Sequence, residues 1–270
     1  VILPINAERP TRILHITDCH LGAKSGETLL GLNVEASFVD VLEHALVREE
    51  TPDLILVTGD IAGHASAEAY ERFSYHVEKA FPNVPYVCVP GNHDTPSLMA
   101  SAFPESALPR SVELGDWLIV LLDSTIPNCE HGNLCDAELD FLQQALADNR
   151  DKHIIVCMHH QPMAVGCDWI DQYQVASADR FKALVAEAGN VEVVLWGHIH
   201  QVFESVIDGV QYMASPSTCI QFKPNSVDFA LDRKMPGYRW FELAGEGQFG
   251  TRVERISERN YPIDYSSNGY

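Results

Sequence analysis

Metal-capable side chains recur in this sequence at one kind of place, directly after short apolar runs. Asp18 and His20 follow the run at 12–17, and Gly59-Asp60 follows 53–58. Gly91-Asn92-His93-Asp94 follows 86–89. His159-His160 follows 153–158, and Gly197-His198-Ile199-His200 follows 191–196. Each group alone has a plainer reading. An Asp after a strand is commonly a turn or cap residue. His159-His160 could be one core histidine beside a surface one. An HxH pair in extended chain sets two imidazoles on one side, about 6–7 Å apart, which suits a metal. The conjunction carries the weight, because the five groups occupy equivalent positions. Carboxylate, amide oxygen and imidazole suit Mn, Fe or Zn, and no thiolate is needed. The ligands exceed what one four-coordinate ion uses and suffice for two ions sharing a bridging carboxylate. Two metals about 3.5–4 Å apart are a known device for displacement at phosphate esters.

Hydrophobic periodicity makes the elements that must hold these groups legible. The runs at 12–17, 53–58, 86–89, 117–123, 153–158 and 191–196 read as strands. Between them, 34–49 has helical spacing, with Val34, Phe38, Val41, Leu42, Ala45 and Leu46 on one side. The pattern predicts further helices at 66–80, capped by Ser66, and at about 136–147, opened by Asp136 as N-cap. A fourth covers about 177–189, opened by Ser177 and stopped by Gly189. Such alternation predicts an α/β fold with helices covering the sheet faces. In open sheets of this kind, ligands bind at the carboxyl ends of the strands. Two alternating runs within 201–215 meet at Asp208-Gly209, a strong hairpin signal. Residues 236–256 offer more strand-like pieces, and the polar stretch from Ser257 reads as an irregular tail. No repeat, low-complexity block or linker interrupts the chain, so 1–270 reads as one domain.

The formal net charge is −20, from 38 acidic and 18 basic residues. A surface this acidic argues against nucleic-acid binding, which needs Lys and Arg on phosphates, and against a polybasic membrane anchor. A small anionic substrate stays open, because bound metal ions reverse the local potential. The seven cysteines are odd in number and scattered, which fits free thiols in a reducing compartment. No apolar stretch approaches the ~18–20 residues that span a bilayer, and no secretory leader is visible. Together these predict a cytoplasmic protein; no oligomeric state follows from them.

The ordered set DxH, GD, GNHD, HH, GHxH resembles the calcineurin-like metallophosphoesterases. Within them the chain is similar to the bacterial class III 3′,5′-cyclic AMP phosphodiesterases, through "LLGLN" (29–33), "GCDWID" (166–171) and "SPSTCIQFKP" (215–224). The resemblance implies a four-layer α-β-β-α sandwich and two metal ions, Fe and Mn foremost, with Zn, Co or Mg possible. It implies one ion on Asp18, His20, Asp60 and His200, and the other on Asp60, Asn92, His159 and His198. Asp60 bridges, and the first histidine of the 159–160 pair is the ligand. Activated water then attacks phosphorus and cyclic AMP opens to 5′-AMP. The phosphate lies against His20, Asp60, Asn92, His93 and His200. His93 is assigned to protonate the 3′ oxygen or stabilise charge. Asp94 either orients His93 or caps the segment that starts at Thr95. Trp169 and Phe222 are candidates to stack on adenine, against ordinary packing. Gly63 stands where many relatives carry an accessory Asp. The Arg that Ser/Thr phosphatases place in this motif is missing, which argues against a protein phosphatase. Two alternatives stand beside this reading. One is a broader phosphodiesterase or phosphomonoesterase acting on glycerophosphodiesters or nucleotides. The other is a catalytically silent scaffold.

Overall fold

The computed structural model describes residues 1–269 of the chain, so Tyr270 of the expected tail lies outside the described residues. In chain order the strands and helices are β1 (Thr11–Ile16), β2 (Thr28–Leu29), β3 (Leu32–Asn33), α1 (Val34–Arg48), β4 (Leu54–Thr58), α2 (Ala67–Ala80), β5 (Tyr86–Val89) and α3 (Pro96–Ala102). There follow β6 (Ser111–Leu114), β7 (Trp117–Leu121), α4 (Asp136–Asp148), β8 (His153–Cys157), α5 (Asp168–Asp171), α6 (Ala178–Ala188) and β9 (Val191–Trp196). The last are β10 (Phe203–Ile207), β11 (Val210–Ala214), β12 (Gln221–Phe222), β13 (Leu231–Asp232), β14 (Gly237–Leu243) and β15 (Phe249–Arg255).

Two mixed sheets form, ordered β15-β14-β1-β4-β5 and β10-β11-β9-β8-β7-β6. Strands β1, β4 and β5 are parallel, as are β7, β8, β9 and β11. The period-2 alternation of each strand decides which layer a side chain joins. On the first sheet Ile13, Leu54, Leu56, Val87 and Val89 meet Ile119, Ile155, Val193 and Leu195 of the second. The alternate residues Leu14, Ile16, Ile55, Val57 and Cys88 pack outward on Phe38, Val41, Phe73 and Val77 of α1 and α2. On the other sheet, Ile154, Val156 and Val194 pack outward on Leu139 and Leu142 of α4 and on Phe181 of α6. The result is helix, sheet, sheet, helix, the sandwich that the resemblance implied.

Local details follow sequence chemistry. Ser66 caps α2 by accepting from the Ala69 amide. Asp208 and Gly209 both take positive φ and close the β10–β11 hairpin. Two local expectations fail. The N-cap of α4 is Cys135, with Asp136 the first helical residue. There its carboxylate still favours the positive end of the helix dipole. Leu46 is exposed, because at about 100° per residue it falls about 40° beyond Leu42, the edge of the buried stripe on α1. Cys129 and Cys135 reach solvent, the other five cysteines are buried, and all seven are free thiols. Among the described residues, no helix is long and apolar enough to cross a membrane.

Glu35 ties α1 to α2 by accepting from Arg72 and His76, at 2.9 and 2.8 Å. Burial alone would raise its carboxyl, but bonds from Ser25, His76 and Arg72 hold it down at about 2. A depressed carboxyl stabilises the fold at pH values above its unfolded pKa, and the contribution is lost as pH falls through about 2. Glu35→Gln is therefore expected to cost about 1–2 kcal/mol at neutral pH. The gap between variant and parent should close toward pH 2, read by denaturant titration.

Candidate dimetal site

The parallel strands β1, β4 and β5 of one sheet and β8 and β9 of the other all end at one edge of the sandwich. The chain leaves these strands through tight turns that hold side chains inward. Asp18, His20, Asp60, His198 and His200 all have positive φ, between 46° and 62°. That region is costly for residues other than glycine and is kept where surrounding structure enforces it. Gly91 is required by close approach: a Cβ there would collide with the Asp60 carboxylate. Gly59, at φ 91°, has the His159 ring where its Cβ would be.

The side chains converge. Nε2 of His159 lies 3.0 Å from Oδ1 of Asn92, 3.3 Å from Oδ2 of Asp60 and 3.2 Å from Nδ1 of His198. Nε2 of His200 lies 3.4 Å from Oδ1 of Asp18 and 3.1 Å from Nε2 of His20, which is 3.7 Å from Asp60. Ligand-capable atoms of Asp18, His20 and His200 fall within 4.8 Å of one another. So do those of Asp18, Asp60 and His159, and those of His159, His160 and His198.

Backbone carbonyls set which imidazole nitrogen faces the cluster. Nδ1 of His159 donates to the Thr58 carbonyl at 2.7 Å, and Nδ1 of His200 to that of Ile220 at 2.8 Å. A carbonyl only accepts, so each Nδ1 carries a proton and Nε2 is the nitrogen left facing the cluster. Of the 159–160 pair, His159 is the one that faces Asp60. His160 turns its Nδ1 to the Ser124 hydroxyl at 2.8 Å.

The electrostatics suit a cation. Burial would raise the Asp60 carboxyl, but His159, His93 and His20 together hold it well below the usual carboxylate range. Burial would lower His159, and Asp60 overrides it, raising the imidazole to about 9. Burial pushes His20 and His198 well down, so both are neutral and able to ligate. Oδ2 of Asp18 and Nε2 of His198 are buried without a hydrogen-bond partner, a costly state that a bound ion would relieve. Oxygen and imidazole donors fit Mn, Fe or Zn.

Asp94 does not cap α3, and Nδ1 of the His93 imidazole is held by a backbone carbonyl instead of by Asp94. The N-cap of α3 is Thr95, and Nδ1 of His93 donates to the Gly63 carbonyl at 2.9 Å. The Asp94 oxygens instead accept from the amides of Gly91, Ile61 and Ala62, at 3.0–3.1 Å. It staples the turn after β5 to the turn after β4, and burial with the nearby Asp60 charge raises its carboxyl to about 6. In Asp94→Asn the amide NH2 must face at least one of those buried donors. The variant is expected to lose about 1–3 kcal/mol, read as a lower thermal midpoint.

The aromatic candidates also resolve. Phe222 is 1% exposed and stacks flat on His200, ring centroids 4.2 Å apart, so it backs that imidazole and has no face for a base. Trp169 meets Phe222 and Phe229 edge-on. Sequence reasoning missed the polar chain beneath the site. His15 bonds Ser215 and Thr58 through its two nitrogens, at 2.6 and 2.8 Å, and Thr58 reaches Thr17 at 2.9 Å. The signal was present: Thr17 and Thr58 hold matching places at the ends of two buried strands, just before Asp18 and Gly59-Asp60.

The calcineurin-like phosphoesterase family model matches residues 11–202, and the chain belongs to that family. Over 99% of its length it is 38% identical to the 3′,5′-cyclic adenosine monophosphate phosphodiesterase CpdA of Escherichia coli strain K12, 98% of which is covered. It is 37% identical to CpdA of Vibrio vulnificus, across 98% of this chain and 97% of that one. A dimetal phosphatase from Danio rerio shares the fold, with TM-score 0.68, 14% identity and coverage of 96% of this chain and 100% of that one.

Proposed function

We propose that this chain, acting as one domain, is a metal-dependent phosphodiesterase that hydrolyses 3′,5′-cyclic AMP to 5′-AMP. The observation that carries the reading is the 37–38% identity, over nearly the whole chain, with relatives named for that activity. The converging donors at the sheet edge support it. Asp18, His20, Asp60 and His200 would hold one ion, and Asp60, Asn92, His159 and His198 the other, with Fe and Mn the favoured metals.

Two such ions would lower the pKa of water and neutralise charge on the phosphoryl oxygens. The chain's own residues do the rest. The carbonyls of Thr58 and Ile220 keep the Nε2 atoms of His159 and His200 aimed inward. Asp94 holds the turns of Asp60 and Asn92 in register. His93 sits beside Asn92, where the 3′ oxygen departs. Water oxygen adds to phosphorus, releasing a proton to solvent, as the bond to the 3′ oxygen breaks, and His93 in its imidazolium form supplies the proton that oxygen needs. Because Nδ1 of His93 is committed to the Gly63 carbonyl, Nε2 of that imidazolium is the nitrogen that hands the proton over, and it regains one from solvent afterwards.

The test is a substrate panel on Mn²⁺-reconstituted protein: cyclic AMP, cyclic GMP, bis(p-nitrophenyl) phosphate and a phosphomonoester. Cyclic AMP should be hydrolysed with the highest kcat/KM, chelator should abolish turnover, and added Mn²⁺ should restore it. Chelator-insensitive hydrolysis would sink the metal-dependent reading.

A further inference from the structure

A cavity of about 430 Å³ has His20 and His93 in its wall. Its other walls include Ala23 and Glu27 from the loop after β1, Leu29 from the β2–β3 hairpin, and Ala65 from the loop after β4. We propose that this cavity is the nucleoside subsite, receiving the sugar and base of a nucleotide whose phosphate lies at His20 and His93. The inference rests on the cyclic nucleotide reading above.

Three observations carry it. The first is continuity and size. The His20 and His93 rings meet edge-on, centroids 4.9 Å apart, in the wall of a space within the usual range for small-molecule sites. The second is lining chemistry. Ala23, Leu29 and Ala65 offer apolar surface to a ring. Glu27 would repel a bare phosphate and is favourable only beside hydrogen-bond donors, which a ribose hydroxyl and an exocyclic amine supply. Its carboxylate is already positioned, since Oε1 accepts from the Lys24 amide at 2.9 Å.

The third is that the outer wall is held from outside. The β2–β3 hairpin turns through Leu30 and Gly31, both at positive φ. The segment after Ser257, irregular as expected, is strapped against that turn. The Asp264 amide donates to the Leu30 carbonyl at 2.8 Å, and the Pro262 carbonyl occupies the place of a Cβ on Gly31. The Tyr261 hydroxyl anchors the strap on Asp40 at 2.6 Å. The strap holds Leu29 where a nucleoside would meet it.

The experiment uses the full chain with Mn²⁺ and compares 5′-AMP with inorganic phosphate as inhibitors of bis(p-nitrophenyl) phosphate hydrolysis. In the parent protein 5′-AMP should inhibit at least about tenfold more tightly than phosphate. Ala23→Phe, which fills the cavity, and Glu27→Gln, an isosteric change at an exposed residue, should each bring that ratio toward one. Each should also raise KM for cyclic AMP. A ratio unchanged in both variants, in a protein that hydrolyses cyclic AMP, overturns the subsite alone. A parent protein that hydrolyses the aryl diester but not cyclic AMP overturns the proposed function itself.

Discussion

Asp60→Asn is expected to lower kcat/KM for cyclic AMP by about 10³-fold, the upper end for loss of one preorganised electrostatic group. The same change should reduce bound metal from about two equivalents to one or none, measured by elemental analysis. The reason is the place of this one carboxylate. Its Oδ2 is 3.3 Å from His159 on one side and 3.7 Å from His20 on the other, so it is common to both proposed groups of ligands. Asn preserves size and keeps an oxygen for the His93 amide, which donates to Oδ1 at 2.9 Å. It removes the charge, and its NH2 cannot accept or ligate. Folding should survive, because a neutral side chain avoids the desolvation cost of a carboxylate that is 2% exposed. Wild-type turnover at full metal content would remove Asp60 from the proposed bridging role.

His93→Ala is expected to cut kcat for cyclic AMP by about 10²–10⁴-fold, the usual worth of a positioned proton donor. Metal content is the discriminating readout. His20, Asp60 and His93 also lie within ligand distance of one another, so a lost ion would make His93 a ligand. Retained metal with lost turnover assigns it to the chemistry. The leaving group gives a second check. A ribose 3′ oxygen is a poor leaving group without a proton, whereas p-nitrophenolate departs unaided. The loss on bis(p-nitrophenyl) phosphate should therefore be about tenfold or less. Equal losses on both substrates would instead assign His93 to binding or charge stabilisation.

Much of this molecule is legible in its sequence because much of it is written in local chemistry. Alternating apolar residues such as Ile13, Leu14, Leu54 and Ile55 specify strands buried on both faces. Ser66 marks a helix start and Asp208-Gly209 a hairpin, since each depends only on neighbours along the chain. The residues gathered at the sheet edge are legible too. Parallel strands put whatever follows them at one edge, so order along the chain becomes proximity in space.

What sequence does not carry is decided between segments far apart in the chain. Whether Asp94 caps α3 or staples two turns depends on where the Ile61 and Ala62 amides lie, about thirty residues away. That Phe222 backs His200 and offers no face to a ligand follows from the packing of β12 near the site. Which of His159 and His160 turns toward Asp60 depends on the Thr58 carbonyl and the Ser124 hydroxyl, groups contributed by other segments. The left-handed backbone at Asp18, His20, Asp60, His198 and His200 is disfavoured locally and persists because tertiary contacts enforce it. Residue identity alone thus nominated the side chains proposed to do the chemistry. Their tautomers, their strain and the walls of the cavity beside them are set by long-range contacts, which exist only once the two sheets have packed.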